Sequence, residues 1–244
     1  MIDIQQLIDK DKELLLFLNG SDSLFWDGFM SVVTDTKTWI PSAIILLYVI
    51  LKNNKLAQSI TIIVMLALAI TFADQIASSI CKPYFARFRP AQDPELMYLV
   101  DVVNGYRGGM YGFISSHAAN TFAVAVFVSL LIRNKWLTIM MLGWAFIPSY
   151  SRIYLGVHYP GDILCGALVG SIVSVLLYLL YTYIQKRYFF QSQGYVSTQY
   201  TSSRYEISDI QVLHMVLLVT YFYAVVAGMV VGVNCVSFQN WRID

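Results

Sequence analysis

From about residue 38 onward, apolar positions are gathered into long runs separated by short polar connections, not spaced at the intervals of a soluble core. Runs of that length predict helices that cross a bilayer. Six are expected, over residues 38–51, 56–80, 115–132, 136–154, 162–184 and 211–233. The first is short for a span and carries Trp39 as an interface anchor. Ahead of it the pattern changes. Ile4, Leu7, Ile8, Leu14, Leu15 and Leu18 recur at helical spacing with Asp9 to Glu13 between them and Asn19-Gly20 as a stop, which predicts an amphipathic helix lying on the membrane surface. A second short helix is expected over 21–33. The fold class is therefore all-α: an integral membrane bundle of about six transmembrane helices with an N-terminal interfacial amphipathic helix. The expected division is 1–37 for the interfacial helices and 38–237 for the transmembrane domain, with a polar cytoplasmic connector at 191–210.

Charge placement orients the bundle. With the spans alternating sides, Lys52 and Lys55, then Arg133 and Lys135, then Lys186, Arg187 and Arg204 fall on one face, which the positive-inside bias makes cytoplasmic. The opposite face receives the acidic N-terminal tail, the long loop 81–114, the turn at His158 and the C-terminus. Its basic residues are few and stand mostly near three polar clusters, against the usual bias. Composition adds little beyond this: 57% hydrophobic, 13% charged and a net charge of +1 leave no nucleic-acid footprint. Cys81, Cys165 and Cys235 lack metal-ligand spacing and read as packing residues. The N-terminus has no basic region ahead of a long apolar core, so no cleaved leader is expected. Gly166-x-x-x-Gly170 and Gly228-x-x-x-Gly232 mark close helix approach; packing within the bundle is the favoured reading, with a homodimer through the glycine face of the last helix as the other.

The three clusters carry the chemistry. Lys82 and Arg89-Pro90 follow the second span, Ser115, Ser116 and His117 open the third, and Ser151-Arg152, His158 and Asp162 lie between the fourth and fifth. A helix starting at Ser115 offers unpaired backbone N–H groups to an anion, and Lys82, Arg89 and Arg152 offer cationic donors to its oxygens. The natural target is a phosphoryl group. Pro160 suits the first turn of the following helix, so Asp162 leans back toward the His158 ring and fixes its tautomer, leaving the other nitrogen free to attack phosphorus. His117 is placed to protonate the leaving oxygen. Without His/Cys spacing or a carboxylate cluster for metal ions, the basic side chains and the helix end carry the electrostatic stabilisation, so no metal and no cofactor are expected.

At these residues the chain resembles the type 2 phosphatidic acid phosphatase family, the lipid phosphate phosphatases. Lys82 to Arg89-Pro90 and Ser151-Arg152 to His158 to Asp162 match the family's first and third motifs completely. In the second, Ser115 and His117 are kept while Ile114 and Ser116 replace a proline and a glycine. The resemblance implies that His158 is the nucleophile that forms a phosphohistidine, with Asp162 as its orienting partner and His117 as general acid. Lys82, Arg89, Ser115, Ser116 and Arg152 would hold the phosphate. It further implies a lipid phosphate substrate entering from the outer half of a bacterial inner membrane to a periplasm-facing site. Additional basic residues at Arg87 and Arg107 lean toward lipid A or undecaprenyl diphosphate over phosphatidylglycerol phosphate or phosphatidate. A phosphotransferase using the same histidine, or a non-catalytic lipid-binding or assembly protein, are the alternatives.

Blander readings stand beside these. Lys82 and Arg89, taken alone, read as side chains snorkelling to lipid headgroups. Asp74, in the outer part of a span, either pairs with a basic group of the site or faces an aqueous pocket. The loop with Gly105, Gly108, Gly109 and Gly112 either contributes Arg107 to a substrate headgroup or forms turns that return the chain to the next span, the second being favoured. His214 has no partner motif and reads as an interface residue.

Overall fold

The structure is a computed structural model that describes residues 4–189 and 198–240, the last eight by backbone alone. Among these the fold is all-helical. The helices are α1 (Ile4–Leu18), α2 (Leu24–Thr34), α3 (Ile40–Asn53), α4 (Leu56–Gln75), α5 (Lys82–Phe85), α6 (Ser116–Ile132), α7 (Lys135–Tyr154), α8 (Pro160–Tyr188) and α9 (Ile207–Asn240). A π-helical stretch, Ile76–Cys81, joins α4 to α5, so that Leu56–Phe85 runs as one long apolar segment.

A helix lies in each of the six stretches expected to span. Length and apolarity qualify three segments as membrane spans, Leu56–Phe85, Pro160–Tyr188 and Ile207–Gly232, and a fourth if a bent pair is counted as one span. That pair revises the sequence reading of the N-terminal third. The helix expected at 21–33 and the short span after it meet at a 67° bend between Leu24–Thr34 and Thr36–Asn53. Asp35 caps the turn after the bend by accepting from the Lys37 amide at 3.0 Å, and the Trp39 indole donates to the Val33 carbonyl at 2.9 Å.

Helix α8 packs against α6 and α4, and α9 against α2 and α3. Small residues set both approaches. A Cβ on Gly166 would lie 2.5 Å from the Ser115 carbonyl oxygen and one on Gly170 2.0 Å from that of Ala119, so α8 closes on α6 only because both positions are glycine. The glycine face of α9 is taken up in the same way by α2: Gly228 lies against Phe29 and Gly232 against Leu24. Cys81 and Cys165 are free thiols packed at the edge of the main core, whereas the Cys235 side chain lies outside the described residues, as do residues 191–197 of the expected connector.

Helix polarity sorts the charges. The α3–α4, α6–α7 and α8–α9 connections lie at one end of the bundle, where Lys52 pairs with Asp209 at 2.6 Å. The end of α5, the start of α6, the end of α7 and the start of α8 lie at the other, and all three motifs gather there. Helix α1 docks at this end. Leu15 is fully buried in a cluster with Leu96, Val100, Ile153 and Tyr159, and the Asn19 amide donates to the Tyr154 carbonyl at 2.8 Å, while Ile4, Leu7 and Phe17 stay exposed.

Candidate active site

His158 sits in the turn between α7 and α8, in a segment held at both ends. Its amide donates to the Arg152 carbonyl at 3.2 Å, and Pro160 at the first position of α8 needs no hydrogen-bond partner of its own. Asp162, fully buried, reaches back over the helix start: Oδ2 accepts from the Tyr159 amide at 3.0 Å and lies 3.2 Å from His158 Nδ1. A carboxylate only accepts, so Nδ1 carries the proton and Nε2 keeps its lone pair. Burial drives the His158 imidazole down to about 4, against the pull of Asp162 in the other direction. At neutral pH the ring is therefore uncharged, the form a nucleophile needs.

The second motif is built by capping. The Ser115 hydroxyl accepts from the Ala118 amide at 3.4 Å, starting α6, while the Ser115 amide donates to the Asp162 carbonyl at 3.1 Å and so ties α6 to α8. Ile114, where the family pattern has proline, is a buried core residue. Ser116, where it has glycine, accepts from Lys82 Nζ at 3.0 Å. His117 Nε2 lies 3.3 Å from the Thr34 carbonyl oxygen; a carbonyl accepts, so this nitrogen holds a proton. The acceptor belongs to the bend between α2 and α3, which therefore reaches into the site. Thr34 also accepts from Arg152 with its hydroxyl at 2.9 Å.

Arg89 follows α5 in extended backbone that pairs with the glycine loop. Its amide donates to Met110 at 3.0 Å, the Gly112 amide donates to Arg87 at 2.9 Å, and Phe88 faces Tyr111 in an antiparallel bridge. Gly108 needs to be glycine: its φ is +66° and a Cβ would lie 2.5 Å from an Arg89 guanidinium nitrogen. Gly112 packs less tightly, a Cβ there lying 3.1 Å from Arg89 and from Asp162 and 3.4 Å from His158. The loop is thus a wall of the site. Arg107, within it, donates to the Ala91 carbonyl at 2.8 Å, and Asp74 accepts from the Asn120 amide at 3.2 Å.

Arg152 is almost wholly buried, and its Nε has no hydrogen-bond partner among the described residues. A buried guanidinium with an unused donor calls for an anion. It lines, with His117, a cavity of about 410 Å³ whose other walls include Ser31, Thr34, Asp35 and Thr36 from the bend and Asn104 and Tyr106 from the loop. No group of three His, Cys, Asp or Glu side chains is gathered to hold a metal ion among the described residues.

Sequence reasoning missed Arg87 as part of this constellation. Arg87 donates to Asp162 Oδ1 at 3.0 Å with one nitrogen and to Asp11 Oδ2 at 2.8 Å with the other, and its guanidinium lies 3.9 Å over the Tyr159 ring. Its place two residues before Arg89 was the available signal. Thr34, Tyr106 and Asp11 gave none.

Residues 60–189 match the family model described as the PAP2 superfamily. The chain is 46% identical over 179 residues to a lipid A 4'-phosphatase of Bacteroides thetaiotaomicron, covering 72% of this chain and 79% of the relative. A lipid A 4'-phosphatase of Porphyromonas gingivalis is 36% identical over 185 residues, covering 76% and 78%. An undecaprenyl-diphosphatase of Sulfolobus acidocaldarius is 30% identical over 175 residues, covering 70% and 79%. No solved structure gives a significant match. With a family model over more than half its length and relatives aligned over most of theirs, this multi-pass membrane protein belongs to the PAP2 superfamily and is a lipid phosphatase.

Proposed function

We propose that the enzyme removes the 4'-phosphate of lipid A, the activity in the names of two relatives, through a phosphohistidine on His158. The observation that carries the chemistry is the buried His158–Asp162 pair at 3.2 Å, which leaves Nε2 unprotonated within reach of the Arg89 and Arg152 charges. Nε2 attacks phosphorus while the bond from phosphorus to the lipid oxygen breaks, and that oxygen takes a proton from the His117 imidazolium, which is left neutral. Water then attacks the phosphohistidine, giving a proton to His117. The P–N bond breaks and inorganic phosphate leaves. Lys82, Arg89, Arg152, the Ser116 hydroxyl and the first N–H groups of α6 stabilise the charge that builds on the phosphoryl oxygens, with Ser115 fixing the start of α6.

The leaving group departs on the His117 side, where the cavity lies. Its walls mix the polar side chains of Ser31, Thr34, Asp35, Thr36 and Asn104 with Val103, Tyr106 and Leu155 and expose more apolar than polar surface, so the choice of lipid A rests on the names of the two relatives. The motif-bearing end of the bundle is opposite the Lys52, Arg133 and Lys186 end, and the positive-inside bias supports a site on the periplasmic face of a bacterial inner membrane. The test is phosphate release by detergent-purified enzyme from lipid A, undecaprenyl diphosphate and phosphatidate in parallel, with EDTA present and with His158→Ala alongside. Release from lipid A that vanishes in the variant, and trapping of acid-labile phosphate on the wild type only, is the expected result. Equal or faster release from undecaprenyl diphosphate would overturn the substrate assignment, and turnover by His158→Ala would overturn the mechanism.

A further inference from the structure

Helix α1 lies wholly outside the residues matched by the family model, 60–189, yet it touches the catalytic pair through a chain of charged contacts. Asp11, about two turns from the start of the amphipathic helix, divides its carboxylate between two partners. Oδ2 accepts from Arg87 at 2.8 Å and Oδ1 accepts from the Gly161 amide at 2.7 Å. The second contact satisfies one of the free N–H groups at the start of α8, the helix that carries Asp162. The first fixes Arg87, whose other nitrogen donates to Asp162 Oδ1 at 3.0 Å. Asp162 in turn holds His158.

The local sequence is shaped to admit this carboxylate. A Cβ at Gly161 would lie 2.7 Å from Asp11 Oδ2, so only glycine leaves it room. The next residue of α1, Lys12, is also engaged, with Glu95 and Asp93, and Asp93 accepts from the Tyr159 hydroxyl at 2.7 Å beneath the Arg87 guanidinium. The charges of Asp11 and Lys12 are thus spent on the loop and helix that frame His158. An amphipathic helix serving only as a surface float would leave them in water.

We infer that Asp11 is a positioning residue of the phosphatase reaction, acting through Arg87 and Asp162 to aim His158. Arg87 carries a full positive charge and has two carboxylates to satisfy. With Asp11 in place it is held between them, and Asp162 keeps enough of its charge to orient and polarise the imidazole. Without Asp11 the fork turns wholly onto Asp162 or swings away, and either outcome misaligns the ring. The same helix keeps Ile4, Leu7 and Phe17 exposed, so α1 joins the lipid-facing surface to the alignment of the nucleophile.

The inference rests on His158 as the nucleophile, so His158→Ala is assayed in parallel with Asp11→Asn, which is isosteric but loses the charge and one of the two acceptor oxygens. The expected result for Asp11→Asn is a fall in kcat of about tenfold, the order seen when an outer partner of an active group is lost, with KM within twofold of wild type. Asp11→Glu, which keeps the charge, recovers part of the loss. In an Arg87→Gln background Asp11→Asn adds nothing further, because the path is already cut. Gly161→Ala, which displaces the carboxylate without removing it, lowers kcat in the same way and keeps the test open where Asp11→Asn fails to fold. Wild-type kcat in folded Asp11→Asn or in Gly161→Ala overturns the inference, as does an undiminished loss in the Arg87→Gln background. Activity surviving in His158→Ala overturns instead the reading on which it rests.

Discussion

Replacing Gly166 with alanine tests whether the approach of α8 to α6 sets the geometry of the reaction. The added methyl group would lie 2.5 Å from the Ser115 carbonyl oxygen, where ordinary contact begins near 3.4 Å, so α6 must retreat by about 0.9 Å, the difference between the two. The obstacle is backbone and cannot rotate away. The retreat stretches the bond from the Ser115 amide to the Asp162 carbonyl, now 3.1 Å, out of hydrogen-bond range, and it carries His117 and Ser116 away from His158. Overpacking of this kind costs ~1–3 kcal/mol. A displacement of about 1 Å between reacting groups costs on the order of 100-fold in turnover. The assay is steady-state phosphate release by protein that elutes as a single species and still melts cooperatively. The expected result is a kcat about 100-fold down with a Tm lowered by several degrees. Gly143→Ala is the control, since nothing lies within 4 Å of a Cβ there, and it leaves both quantities unchanged. Turnover by Gly166→Ala within about threefold of wild type, or an equal loss in Gly143→Ala, would refute the reasoning.

Three other outcomes are expected. Asp162→Asn lowers kcat by about 10³–10⁴-fold because the amide no longer enforces the Nδ1–H tautomer; phosphate release measures it, and a loss under tenfold speaks against the orienting role. Stability rises with pH between about 4 and 6.5 and is flat above: the folded His158 has its pKa lowered to about 4 from the free value of 6.5, so in that window the unfolded chain binds the extra proton and acid favours unfolding. Thermal melts across pH 4–8 check this, with His158→Gln losing that part of the slope. Inorganic phosphate, which shares the substrate's oxygens, raises the Tm, by about 2.7 kcal/mol of stabilisation at a concentration 100 times its Kd, and Arg152→Gln abolishes the shift; an unchanged shift in the variant removes Arg152 from the phosphate site.

The helices were legible, three of their segments qualifying as spans and a fourth if the bent pair is one, because a bilayer imposes a length and an apolarity that a single stretch of chain must satisfy by itself. The bend between α2 and α3 was not, since residues 21–33 and 38–51 each read as plausible helices and nothing local states the 67° between them. It mattered for the site, because Thr34 at that bend lies against both His117 and Arg152. His158 and Asp162 could be paired because they sit at a helix start four positions apart, whereas Lys82 and Ser116 are 34 positions apart and meet only in the fold. Asp11 and Gly161 are 150 residues apart, and a charged position in an amphipathic helix reads as solvated until its partner is seen. Arg107 illustrates the converse: its sequence neighbours left it between a headgroup contact and a set of return turns, the second favoured, and only the structure shows one of its nitrogens donating to the Ala91 carbonyl.

Asp162 explains why alignment and packing are hard to separate in this enzyme. One carboxylate oxygen takes the His158 ring and the Tyr159 amide, the other takes Arg87, and the backbone carbonyl of the same residue takes the Ser115 amide. The first two contacts aim the nucleophile and start α8. The third ties α8 to arginine from the α5 loop, and the fourth ties it to the start of α6, where His117 stands. A buried carboxylate is costly unless each of its lone pairs is matched, and here every match comes from an element that also supplies a group to the chemistry. Selection for a satisfied Asp162 is therefore selection for an assembled site. A change that loosens either α6 or Arg87 is felt at His158 before it is felt in the stability of the membrane-spanning bundle, whose apolar helices are held by lipid and by contacts far from this end.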